Sequence, residues 1–105
     1  GAKSITLAWD PNPEPNIASY RLYYGATSHS YRRYVKTITT NATVSNLMEG
    51  TTYFFAATAI NTDGLESALS AEVSYLVPGR IALFSSSFRV VLSFTRAVLR
   101  CWGGS

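Results

Sequence analysis

From residue 4 to residue 77, apolar side chains recur at every second position in short runs. Turn-forming residues interrupt these runs roughly every 8 to 12 residues. A period of two puts alternate side chains on opposite faces of an extended strand, so the chain must bury its apolar set as sheets rather than helices. Residues 4–9 place Ile5, Leu7 and Trp9 on one face, and residues 18–25 place Tyr20, Leu22 and Tyr24 on one face with Arg21 and Tyr23 on the other. Further strands are expected at 31–38, at 42–46 around Val44, at 52–61 with Tyr53, Phe55, Ala57 and Ala59 inward, and at 71–77 with Val73, Tyr75 and Val77 inward. Asp63-Gly64 marks a tight turn, since glycine accepts a positive φ without a Cβ clash. Several short strands at this spacing predict an all-β sandwich.

The 105 residues are enough for one core. With 47% hydrophobic and 14% charged residues, the chain collapses rather than remaining disordered. Its single cysteine, Cys101, excludes an internal disulfide, so packing must supply the stability. The net charge of +3 is unevenly placed. Residues 1–79 carry five bases and six acids, whereas residues 80–105 carry four arginines and no acid. A slightly acidic body argues against nucleic acid as a partner.

Particular residues then point to a family. Trp9 closes the first run, Tyr20-x-Leu22-x-Tyr24 forms the second, and Leu47-Met48-Glu49-Gly50-Thr51-Thr52-Tyr53 leads into the long strand. Ala59-x-Asn61 precedes Gly64, and Ser67 and Ser70 precede the last run. In this order they resemble the fibronectin type III domain, in particular the form found in bacterial secreted proteins, over residues 4–78. The resemblance implies an immunoglobulin-like sandwich and a non-catalytic extracellular spacer or protein-interaction module, secreted or in the cell envelope. Tyr53 following Leu47 suits a tyrosine corner, in which the ring is buried and the hydroxyl bonds nearby backbone. The family's first strand would lie before residue 4, so one sheet edge is expected to be open and available for pairing two copies as a homodimer. The division is then 1–79 for the sandwich and 80–105 for a tail that the resemblance does not cover.

The tail has two readings. On a helical wheel Arg89, Arg96 and Arg100 share one side, with Phe88 and Trp102 among the apolar residues opposite, which makes a basic amphipathic helix able to dock on a membrane surface or a partner. As a strand, Phe88, Val90, Leu92 and Phe94 alternate with Arg89, Val91, Ser93 and Thr95, and the tail would cover its own domain, over an outward face or along the open edge. A cover has a motive: the outward set of strand 52–61 is Phe54, Ala56, Thr58 and Ile60, which is apolar for a face meeting water.

Reactive constellations are scarce. His29, the only histidine, lies in a serine-rich turn, and no nucleophile–base pair can be assembled around it. Asp10 or Glu14 paired with Asp63 or Glu66 are read as solvated loop acids rather than a glycosidase pair. In residues 10–16, Asp10, Asn12, Glu14 and Asn16 alternate as calcium ligands do, but three prolines stiffen the loop and no closing glutamate follows. The expectation is no enzyme, no cofactor and no metal. The candidate interaction surface is Tyr23, Tyr31, Arg33, Tyr34, Phe54 and Ile60, which meets a protein or, through the tyrosines, a carbohydrate.

Overall fold

A computed structural model describes residues 2–79 and 89–92. Every regular element among them is a strand: β1 (Ala2–Trp9), β2 (Ile17–Gly25), β3 (Arg33–Thr37), β4 (Asn41–Met48), β5 (Thr52–Asn61), β6 (Val73–Leu76) and β7 (Arg89–Leu92). They form two sheets, one in the order β4-β1-β7 and the other in the order β3-β2-β5-β6. The fold is the expected all-β, immunoglobulin-like sandwich.

The inward set is the predicted one. Ile5, Leu7 and Trp9 face Tyr20, Leu22, Phe55, Ala57 and Ala59 across the sandwich, with Ala42, Val44, Leu47 and Val77 completing the buried cluster. The Trp9 ring meets Tyr20 edge-on at 5.6 Å, and Tyr24 stacks on Phe55 at 6.2 Å. The Tyr53 hydroxyl accepts the Met48 N–H at 3.0 Å, which ties the end of β4 to the start of β5 and completes the tyrosine corner. Replacing Tyr53 by Phe should therefore cost about 1 kcal/mol, because the ring stays and only the bond is lost. A midpoint of chemical denaturation unchanged from the parent would refute that role.

Strand β4 runs past its expected end. Asn46 takes a positive φ of 62°, and the register with β1 shifts between Lys3 and Ile5, so a bulge turns Ser45 and Asn46 outward and lets Leu47 return to the core. Asparagine tolerates this left-handed geometry better than most residues.

The expected open edge is closed by the chain itself. β7 pairs parallel to β1, with Thr6 opposite Arg89 and Trp9 opposite Leu92. Between the two readings of the tail, residues 89–92 are strand, and the β1 edge proposed for homodimer pairing is already occupied. Phe88, Arg96, Arg100 and Trp102 lie outside the described residues.

Candidate functional site

The outward face of the four-stranded sheet gathers most of the polar chemistry. Register places Tyr34, Tyr23 and Ala56 in one cross-strand row and Lys36, Arg21 and Thr58 in the next. Arg21 and Tyr23 therefore stand side by side above the small residues of β5. The Arg21 guanidinium carbon lies 4.8 Å from the centre of the Tyr34 ring, and Tyr23 sits 5.4 Å from Tyr34 and 6.4 Å from Tyr31, centre to centre.

Glu66 organises this face. Arg21 Nη1 donates to its Oε1 at 2.9 Å, while Tyr23 Oη and Thr58 Oγ1 donate to its Oε2 at 2.5 and 2.6 Å. The residue is held there because the chain after the 61–64 turn runs back along the free edge of β5. The Ser67 and Ser70 N–H groups donate to the carbonyls of Ala59 and Ala57, and their hydroxyls accept the N–H groups of the same two residues. Two serines three apart thus extend the line of β6 with hydroxyl groups. On the outward set of β5, Ala56, Thr58 and Ile60 are all buried, and the Thr58 hydroxyl is taken up by Glu66.

A second carboxylate pins the neighbouring turn. Glu72 accepts hydrogen bonds from Ser28 Oγ at 2.6 Å, from the His29 N–H at 2.8 Å and from the Tyr31 hydroxyl. Burial, the largest single influence, pushes the Glu72 carboxyl up, but the bonds from Ser28, Tyr31 and His29 together outweigh it and hold the group below its ordinary value. Burial raises the Tyr31 and Tyr23 hydroxyls, and the hydrogen bonds to Glu72 and Glu66 add to it; burial alone raises Tyr75. Proton binding by these phenols thus favours the folded state. Their stabilisation is complete below the ordinary tyrosine value of 10.0 and is lost as pH rises above it. From neutral pH the melting temperature should be flat up to about pH 9.5 and fall beyond about pH 10, less steeply in Tyr31→Phe. Equal slopes for the variant and the parent would show that the Tyr31 hydroxyl contributes nothing to the alkaline loss.

The predicted surface residues separate into groups. Tyr23, Tyr31 and Tyr34 do come together. Arg33 does not join them: it pairs in register with Tyr24 and belongs to the row that faces the core, at the end of the sandwich. Arg21 takes the place beside the tyrosines. Ile60 is only 8% exposed and presents no surface, and Phe54 is half-buried between the register positions of Gly25 and Ser74. Tyr34 is 52% exposed and Leu69 44%. Tyr23, Tyr31 and Leu69 border a cleft of about 410 Å³ with Glu66 and Thr58 in its wall. Glu66 and Leu69 were missed as site residues. The one signal for Glu66 was Thr58, a hydroxyl on an otherwise apolar face that needed a partner.

The tyrosine rings are tilted by 42° and 52° to one another, so they make a ridged surface rather than the flat platform on which a sugar ring stacks. In the 10–16 loop, Asn12 is buried, its Oδ1 accepts the Glu14 N–H at 2.8 Å, and its own N–H donates to the Tyr20 hydroxyl at 3.1 Å. Its oxygen therefore closes a local turn. Among the described residues no group of three or more His, Cys, Asp or Glu side chains is placed to hold a metal ion.

The family model of the fibronectin type III domain matches residues 1–76. No curated protein and no solved structure matches the chain.

Proposed function

We propose that this chain, which belongs to the fibronectin type III family, is a non-catalytic module of a secreted or cell-envelope protein that binds a protein partner through the outward face of its four-stranded sheet. Domains of the family commonly mediate protein interactions and are typically non-catalytic. The observation that carries the choice of face is the arrangement of exposed Tyr34 and Leu69 around a core of side chains, Arg21, Tyr23, Thr58 and Glu66, already locked by short hydrogen bonds. Tyrosine and arginine are enriched where interfaces hold their energy, and a face fixed in advance loses little rotamer entropy on binding.

A protein is favoured over a carbohydrate because the rings are tilted and the Tyr23 and Tyr31 hydroxyls are already bonded to glutamates. Pairing of two copies through β1 is not proposed, since β7 holds that edge. Membrane or partner docking through Phe88, Arg89, Arg96, Arg100 and Trp102 draws no support from the described residues, since 89–92 is a strand paired with β1.

The test is site-specific photo-crosslinking on intact cells that carry the chain in its native parent protein. A photo-reactive residue at position 34 or 69 should give a discrete adduct of fixed mass, and one at exposed Thr43 on the other sheet should not. Equal adducts from all three positions, or none from 34 and 69, would refute the assignment of this face.

A further inference from the structure

A second cleft, of about 470 Å³, opens at the end of the sandwich between the edge strands β3 and β4. Its volume lies in the range of ligand sites. Tyr24, Leu47 and Tyr53, all buried or half-buried, form its floor, with Met48 at the side. Exposed Arg32, Arg33, Ser45 and Asn46 stand around its mouth.

Local structure explains each position. Arg33 opens β3 in the row that faces inward, opposite Tyr24, but at the sandwich end there is no core left to cover, so its side chain borders the opening. Arg32 precedes the strand and is free of its alternation, which lets two successive arginines line one cleft. The bulge at Asn46 turns Ser45 and Asn46 out of the β4 ladder toward the same space. Gly25, in the wall, admits no side chain: a Cβ there would stand 2.6 Å from the Ser30 carbonyl oxygen.

The charges are uncompensated. Neither Arg32 nor Arg33 makes an ion pair with a described residue, and the nearby acids are used elsewhere, Glu49 with Lys3, Glu66 with Arg21 and Glu72 with the 28–31 turn. Two guanidiniums over an aromatic floor suit a carboxylate carried on a chain with apolar stems, and guanidinium forks bind carboxylates through paired hydrogen bonds. Residues 1–79 hold one more acid than base, so the adjacent Arg32 and Arg33 are a local concentration of positive charge on the sandwich body. A long polyanion such as a nucleic acid or sulfated glycan needs an extended basic track, which the described surface lacks.

We infer that this cleft between β3 and β4 binds an acidic peptide segment, with Arg32 and Arg33 holding its carboxylates and the Tyr24, Leu47 and Tyr53 floor packing its stems. The site is distinct from the tyrosine face and stands whether or not that face binds a partner.

The experiment follows amide shifts of the isotope-labelled full chain on titration with a capped hexaglutamate peptide. Shifts should concentrate at Tyr24, Ser45, Asn46 and Met48. The double variant Arg32→Gln/Arg33→Gln should bind at least about tenfold more weakly with an unchanged melting temperature, because both side chains are exposed. Ser45→Tyr, which fills the mouth and leaves the charges intact, should weaken binding as well, whereas Tyr34→Ala should not change it. Binding that survives Ser45→Tyr or the double variant, shifts spread over Lys3 and Lys36, loss on Tyr34→Ala, or tighter binding of a heparin-derived hexasaccharide would each overturn the inference.

Discussion

Replacing Phe55 by Ala should lower the unfolding free energy by about 3–5 kcal/mol. Phe55 is fully buried, stacks on Tyr24 and lies in register with Val73 on the other side, so truncation leaves a cavity walled by two strands that cannot close in on it. A small domain holds only about 5–15 kcal/mol in all, so the loss is a large share of the total. The neighbouring Phe54→Ala is the informative contrast. It sits one residue away on the opposite face and is half-buried, so its replacement should cost about 1 kcal/mol. Urea denaturation of the two variants, with equal slopes, reads the difference directly. Comparable costs for both would mean that β5 is not set with Phe55 toward the core, and the register described for the four-stranded sheet would fall with it.

Inward faces were legible because alternation is a local property: Ile5, Leu7 and Trp9, or Tyr20, Leu22 and Tyr24, announce a buried face without reference to any other segment. Outward faces were less so. The set Phe54, Ala56, Thr58 and Ile60 looked like a face awaiting the tail, yet residues 65–72 run along the β5 edge beside it and Glu66 takes the Thr58 hydroxyl. That stretch shows no alternation, because Ser67 and Ser70 pair with β5 through hydroxyls as well as amides, and a pattern of apolar residues cannot register such pairing. Strand β4 outruns its expected end for a related reason. A bulge at Asn46 interrupts the period of two, and the strand resumes with Leu47 inward.

The candidate sites show the same division. The clustering of Tyr23, Tyr31 and Tyr34 followed from their place on adjoining strands, and Arg21 shares the face of Tyr23 by alternation, while Arg33, next to Tyr34 in β3, falls opposite Tyr24 on the other face. A shift of one residue in β3 would exchange the two faces of that strand and carry Arg33 to the tyrosines. Glu66 and Glu72 act across the sheet on residues more than forty positions away, a distance over which no sequence spacing carries information. The tail was undecided because its residues satisfy both periods. The choice at 89–92 rests on a partner elsewhere in the chain, the edge of β1.

That edge supports the second large prediction. A chain ending at residue 79 lacks β7 and leaves the backbone groups of Thr6, Leu7, Ala8 and Trp9 without their parallel partner. Hydrogen bonds in such a four-residue ladder are worth about 2–4 kcal/mol together, and part of that is offset by the entropy of ordering the tail. The truncated chain should melt about 5–15 °C lower. The exposed edge should also find a substitute, since two β1 strands can pair antiparallel about a two-fold axis and satisfy each other's amides. Light scattering of the truncated chain should therefore move from one chain mass toward two as concentration rises, and melting should become concentration-dependent. A chain ending at residue 92 keeps β7 and should behave as the parent does in both respects. If the shorter chain stays monomeric and melts at the parent's temperature, β7 contributes nothing to the sandwich and the β1 edge is stable alone. If both truncated chains associate equally, the contact lies elsewhere on the molecule, and the closing of the edge by residues 89–92 does not control assembly.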